Sequence, residues 1–499
     1  MTSRTSGILM HPTSLPGEHG IGYLGSAAYQ FVDLLASLKQ TLWQVLPLSP
    51  VLEGNSPYQS PSAFAGNPLL INLNLLQQEG WLHPDKILKV MNFSDEIVDF
   101  EQVEIWKMDC LREAFQGFQK NASKTQRLDF DNWRKSEAIW LNDYSSFATI
   151  KTVLEGKSWS DWPTELKTHV SAEIQTFRKN HISDISFHEF VQWQFFMQWD
   201  ALRKYANQRR IKIIGDLPIY VAYESADVWT NADLFELDND HRPTVVSGVP
   251  PDYFNKSGQH WGNPLYRWYK MEEDEYMWWK NRLTHLLQQF DFIRIDHFRG
   301  FENYWEIPVS AETASEGQWK QGPGLKFFEE LKSDLGELPI IAEDLGMITS
   351  EVEALRENCG FPGLKVLHFA FTDKNNPHLP HNYSNTSTVV YSGTHDNNTT
   401  IGWFRDLSQK EKDFLNTFVG NNVKEDNVCY ELLRMAWSSN SDMALAPLQD
   451  LLCLDGECRM NYPGTVNEKN WGWRCRPEQL TRLDHHWISD LTVACGRNQ

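Results

Sequence analysis

Residues 292–296 read Phe-Ile-Arg-Ile-Asp (FIRID), a short apolar run that closes on a carboxylate. Two further runs share that form, Pro339–Glu343 (PIIAE) and Val389–Asp396 (VVYSGTHD). Short runs rich in branched apolar residues and bounded by turn signals read as buried strands. A carboxylate at the end of such a strand is costly to bury unless it is paired or has chemistry to perform. One such acid alone reads most simply as the N-cap of the helix that follows. Three at the same end of three parallel strands, with His and Arg beside them, converge on one site instead.

Working outward, Gly7–Thr13, Leu42–Leu48, Ile211–Leu217, Leu364–Phe371 and Ala444–Leu451 have the same strand character. Together with Phe292–His297, Pro339–Asp344 and Thr388–Thr394 they make eight. Amphipathic stretches between them predict helices over Ala27–Leu38, Trp278–Gln289, Leu325–Leu335, Thr349–Asn358 and Ser408–Phe418. Alternating strand and helix implies a parallel sheet, and eight units imply a closed (β/α)8 TIM barrel. A doubly wound open sheet is the structural alternative, but no GxGxxG follows a strand and no GxxxxGK[ST] is present.

The spacing of the strands predicts large, mainly helical insertions in one catalytic barrel spanning residues 1–499. Residues 54–210, after strand two, hold an aromatic, Pro/Gly-rich loop (Gly54–Leu75) followed by charged, Trp-rich helical sequence. Residues 220–275, after strand three, form a second insertion. In such barrels the chemistry sits at the C-terminal ends of the strands. That rule gathers Asp216, Asp296, Glu343 and Asp396 on one rim, with His11 beside them. A nucleophile, a proton donor and a third acid to hold the sugar are what a retaining glycosidase needs.

Composition narrows the ligand. The 499-residue chain is 41% hydrophobic and 22% charged, enough apolar sequence for a large core. A net charge of −20 repels phosphate backbones and anionic lipid, so neither nucleic acid nor a membrane is expected as partner. Aromatic residues make up 13%, and their flat faces also suit sugar rings. No signal peptide or membrane span is read, and the seven cysteines form no CxxC, so reduced thiols in a cytoplasm are expected. There is no HExxH, and His378 and His381 flank Pro380 as ordinary loop histidines. Asp238 and Asp240 do not match a calcium-loop spacing. No metal and no other cofactor is expected, since two carboxylates supply acid–base and nucleophilic work.

Ten segments, in order, resemble the amylomaltase or disproportionating-enzyme family, the 4-alpha-glucanotransferases of glycoside hydrolase family 77. They are Leu9–Gly22, Leu42–Pro50, Ser56–Ile71, Ile214–Val221, Gly248–Phe254, Gly258–Trp268, Arg294–Phe301, Ile341–Gly346, Gly393–Asn397 and Arg459–Gly464. The chain departs from the family pattern at Gly22–Leu24, Glu224 and Asn397–Asn398, and none of these departures touches the three reacting carboxylates. The resemblance implies that Asp296 is the nucleophile, Glu343 the acid and base, and Asp396 the group that grips the distorted sugar. Arg294, on the same strand face as Asp296, should hold that nucleophile ionised, while the surroundings of Glu343 should raise its pKa. Asp216 should orient Arg294 or Tyr58, and Asp344 should cap the next helix.

The resemblance also implies that the second insertion carries a lid, with Tyr253 and Phe254 over the glucan and Gln259, Trp261 and Asn263 lining the donor side. Tyr58 and Ser56 would contact the sugar from the opposite rim. His395, His297 and Asn461 complete the implied substrate-binding set, whereas Trp43 and Trp268 read as packing. The implied partners are malto-oligosaccharides and other alpha-1,4-glucans of starch, glycogen or maltose metabolism, handled by a monomer or weak homo-oligomer. Three other readings compete with transfer: a retaining alpha-1,4-glucan hydrolase of the amylase clan, a binding protein without the chemistry, and a sugar-phosphate barrel. The second predicts loss of a reacting acid, and the third a Gly-rich phosphate loop that is absent.

Overall fold

Alternation along the short strands decides which side chains face the barrel axis. The computed structural model describes residues 4–88, 93–169, 171–251 and 257–498. Its twelve strands are β1 (Thr5–Leu9), β2 (Leu42–Gln44), β3 (Lys212–Pro218), β4 (Val245–Val249), β5 (Gln259–Pro264), β6 (Phe292–Asp296), β7 (Asn303–Pro308), β8 (Gln318–Gln321), β9 (Ile340–Ala342), β10 (Gly363–Val366), β11 (Thr388–Tyr391) and β12 (Met443–Pro447). Eight of them form one parallel sheet in the order β10-β11-β12-β1-β2-β3-β6-β9. These are the eight predicted runs, and all but β3 are shorter than the stretch that predicted them.

The sheet rolls into a nearly closed (β/α)8 barrel. Between β9 and β10 the ends meet through the Ala342 N–H, which donates to the Pro362 carbonyl at 2.9 Å. Asp344 adds a second stitch: it accepts from the Leu364 N–H at 2.6 Å and pairs with Arg356 Nε at 3.1 Å. The expectation that Asp344 caps the following helix is therefore wrong. Thr349 occupies that N-cap position, and the Asp344 carboxylate is spent joining two strands.

Inside the barrel, Leu42, Ile214, Ile341, Leu364, Val389 and Leu445 form a layer separate from the main core. Ile213, Ile293, Ile295 and Ile340 point the other way and pack in the large outer core. Because side chains alternate, Asp216, Arg294 and Asp296 extend the interior layer toward the C-terminal rim. The Tyr391 hydroxyl donates to Gln44 Oε1 at 2.9 Å, linking non-adjacent strands beneath the site. The predicted helices are present as Ser26–Ser37, Met277–Gln289, Gly324–Leu335, Ser350–Cys359 and Gln409–Val419.

Between β2 and β3 run the helices Phe100–Asn121, Lys124–Ser136, Ala138–Val153 and Ile182–Gln208. The Ser123 capping box fixes the start of the second: Ser123 and Gln126 satisfy each other's backbone N–H groups. The longest helix grips the loop after β2. Gln192 exchanges two hydrogen bonds with the Gly66 backbone, at 2.7 and 2.9 Å, and Gln198 accepts from the Asn72 N–H at 2.7 Å. A Cβ at Gly66 would lie 1.9 Å from the Phe195 ring, so only glycine fits that approach. The buried Lys107 donates to the carbonyls of Leu69 and Ile71. By these contacts the helical segment holds the aromatic loop that carries Tyr58.

A four-stranded antiparallel sheet in the order β5-β4-β7-β8 was not anticipated. It stands beside the barrel rim and brings Gln259, Trp261 and Asn263 in on β5. No helix among the described residues is long and apolar enough to cross a membrane.

Candidate active site

On the β3–β6–β9 side, charge is paired at short range. In the β3–β6 register Asp216 lies opposite Arg294, and Pro218 opposite Asp296. Arg294 Nη1 lies 2.8 Å from both Asp216 oxygens, and its Nη2 lies 3.0 Å from Asp296 Oδ1. Glu343 follows β9 directly, where its own N–H donates to the Ile295 carbonyl at 3.0 Å. Its carboxyl accepts from the N–H of His297 at 2.7 Å and of Leu345 at 2.9 Å. His297 has a left-handed backbone (φ 56°), uncommon for a residue with a Cβ, and this turn aims its N–H at Glu343. Two carboxyl groups thus meet within one residue of each other along the β6 end.

Their electrostatics follow from crowding. Burial and the neighbouring Glu343 raise the Asp296 pKa, and Arg294 only partly opposes this. Arg294 favours the ionised form of Asp296, as expected, but it is shared with Asp216 through Nη1, and burial outweighs its pull. Burial is also the main force raising Glu343, against Arg294 and the two backbone N–H groups, with Asp396 adding repulsion. Interacting acids of this kind titrate as a unit, and the unit holds a proton more tightly than isolated carboxylates would.

On the β11–β12 side, a neutral amide holds the carboxylate. Asp396 Oδ1 accepts from Asn461 Nδ2 at 2.7 Å, and its backbone carbonyl accepts from Arg459 Nη2 at 2.6 Å. His395 Nε2 lies 3.4 Å from Asp396 Oδ2. Tyr58 joins the halves. Its hydroxyl donates to Asp216 Oδ2 at 2.8 Å and lies 2.9 Å from His395 Nε2, with the two rings stacked. Burial and Asp216 raise its pKa well above that of a free tyrosine, so it stays a hydroxyl.

The other sequence candidates divide. Trp261 meets the His297 ring edge-on at 4.8 Å, and its indole N–H donates to Gln259 Oε1 at 3.1 Å. Burial lowers His297 to about 3, so that ring is neutral. Asn263 is 5% exposed and committed elsewhere: Nδ2 donates to the Val221 carbonyl, and Oδ1 accepts from Gln59. Ser56 Oγ accepts from the Tyr58 N–H at 3.3 Å, shaping the loop. Tyr253 and Phe254 lie outside the described residues. Trp43 and Trp268 are core residues.

Sequence reasoning missed Asp450. It accepts from Ser392 Oγ at 2.6 Å and the Thr400 N–H at 2.8 Å, clamping the loop that carries His395 and Asp396. It stands just after β12, so the strand-end rule could have found it. Arg459, next to a candidate already singled out, was also passed over. Among the described residues no cluster of His, Cys, Asp and Glu could hold a metal ion.

The family model described as 4-alpha-glucanotransferase, glycoside hydrolase family 77, matches residues 10–481. A 4-alpha-glucanotransferase from Synechocystis is 45% identical over 500 residues, covering 100% of this chain and 99% of that protein. One from Thermus thermophilus is 46% identical and covers 96% of each chain. A solved amylomaltase from Streptococcus agalactiae, in complex with acarbose, superposes with a TM-score of 0.95 at 38% identity and covers 99% of both chains. The chain belongs to the 4-alpha-glucanotransferase family of glycosyltransferases acting on alpha-1,4-glucans.

Proposed function

We propose that this protein transfers a segment of an alpha-1,4-glucan to the 4-hydroxyl of another glucan, or of glucose, by double displacement. The Asp296 carboxylate attacks the anomeric carbon while Glu343 gives its proton to the glycosidic oxygen. The bond to that oxygen breaks, and the shortened glucan departs as an alcohol. A covalent glucosyl–Asp296 intermediate remains. Glu343, now a carboxylate, takes the proton of an incoming 4-hydroxyl as its oxygen attacks the same carbon and frees Asp296. Asp396 and His395 grip ring hydroxyls as the sugar distorts toward the oxocarbenium-like transition state.

The observation that carries this reading is the coupled pair: Asp296 against Arg294, and Glu343 against the His297 N–H one residue further on. A pair that retains one proton supplies an acid and a nucleophile together. Acarbose in the Streptococcus agalactiae structure supports a glucan-shaped groove. Product analysis of a maltotriose digest tests the proposal. Transfer yields glucose with a ladder of longer chains; only shorter products would make the protein a retaining hydrolase.

A further inference from the structure

The His395 ring has one nitrogen in the site and one behind it. Nε2 faces Tyr58 and Asp396. The Tyr58 proton is already given to Asp216, whose carboxylate, paired with Arg294, accepts it. What Tyr58 offers Nε2 is therefore a lone pair, as Asp396 does, so the ring proton sits on Nε2. Nδ1 must then be an acceptor. It is buried and has no hydrogen-bond partner among the described residues, and the same is true of Nδ1 of His11.

His11 follows β1 and is 5% exposed; His395 is 3% exposed. Both line one small cavity of about 20 Å³ behind the rim, with Thr394, Asn397, Arg459 and Trp473. A water needs about 10–15 Å³ of such space and at least two polar partners. Leaving a buried nitrogen without a partner is costly, and a water in this space removes that cost. Burial keeps His11 neutral, lowering it to about 3, so it too offers one donor and one acceptor.

We propose that His11 is a positioning residue for His395, acting through a water molecule held between their Nδ1 atoms in this cavity. The water donates to His395 Nδ1 and so supports from behind the Nε2–H tautomer that Tyr58 and Asp396 select in front. The effect on rate rests on the reading of His395 as a sugar-hydroxyl ligand; the tautomer does not.

Long-range proton–nitrogen spectra of protein carrying nitrogen-15 histidine read the tautomer directly, with H395Q assigning the signal. Wild type should show Nε2–H at His395. H11F should raise the share of the Nδ1–H form and lower kcat by about tenfold, the size expected for one lost hydrogen bond, with KM little changed. H11N, which keeps a donor and an acceptor, should restore most of both. An Nδ1–H form in wild type overturns the proposal, as does an H11F protein with unaltered tautomer and kcat. If H11F does not fold, the wild-type spectrum and H11N decide. An H395Q protein of undiminished kcat beside an Nε2–H wild type would sink the substrate role of His395 and leave its contact with His11 standing.

Discussion

The two halves of the rim are built from different material. On the β3–β6–β9 side the Asp216 and Arg294 side chains are 0% and 5% exposed, and charge meets charge at 2.8–3.0 Å. On the β11–β12 side the Asp396 side chain is 44% exposed and is held by the Asn461 amide, while Arg459 holds its backbone carbonyl. The first half grows from strand ends locked by the barrel ladder; the second hangs on loops clamped by Asp450. Groups that must exchange a proton and form a bond gain from rigid spacing, since misplacement of about 1 Å can cost about 100-fold. A group that follows a distorting sugar gains from a softer mount.

That contrast can be broken at its strongest point first. D296N should lower transfer from maltotriose by at least about 10³-fold, because nucleophilic and acid–base roles carry effects of that order. Its melting temperature should stay within a few degrees of wild type; substantial turnover in a clean preparation would contradict the assigned nucleophile. E343Q should hurt maltotriose as severely but glucosyl fluoride far less, since fluoride leaves without a proton. Equal losses on both substrates would remove Glu343 from the acid role.

R294M asks whether the rigid half depends on paired charge. It strands Asp216 and Asp296 without their cation and should destabilise the fold by about 3–5 kcal/mol in urea titrations. A loss below about 1 kcal/mol would mean that solvent already screens the trio. N461A probes the softer half. It deletes a single hydrogen bond to Asp396 and should lower kcat/KM by about tenfold with little change in stability. A stability loss matching that of R294M would erase the distinction between the halves.

The smallest effect sharpens the electrostatic side. Asp216 raises Asp296 by repulsion and also occupies Arg294 Nη1. D216N removes a negative charge and releases the guanidinium, and both changes favour ionised Asp296. Its pKa should fall, so the acidic limb of kcat/KM should move to lower pH. A limb that stays in place, or moves upward, would show that another group controls it.

Local pattern carried far along this chain because barrel strands and their helices obey simple periods. Ala27–Leu38 was legible as a helix from its apolar stripe, and the structure begins it one residue earlier. The antiparallel sheet was not legible for the same reason in reverse. Its strand β8, QWKQ, is largely exposed and polar on both faces, so no alternation announces it. Asp344 and Asp450 show the limit for the site. Asp344 looks like a local helix cap and Asp450 sits inside the predicted strand Ala444–Leu451, yet one closes the barrel through Leu364 and the other clamps the Ser392–Thr400 loop. Such partners lie 20 to 58 positions away along the chain, where no periodicity reaches.

The order of residues by itself determined the eight barrel strands, the rim on which the acids end, and the family, because alternation and motif spacing are properties of short stretches. Tertiary structure alone decided how charge is shared. Only closure of the barrel brings Asp216, from β3, against Arg294 on β6, sets Tyr58 between Asp216 and His395, and turns the His297 N–H onto Glu343. The physical reason is that a buried carboxylate takes its proton affinity from the groups within a few ångströms of it, and folding chooses those neighbours from distant parts of the chain.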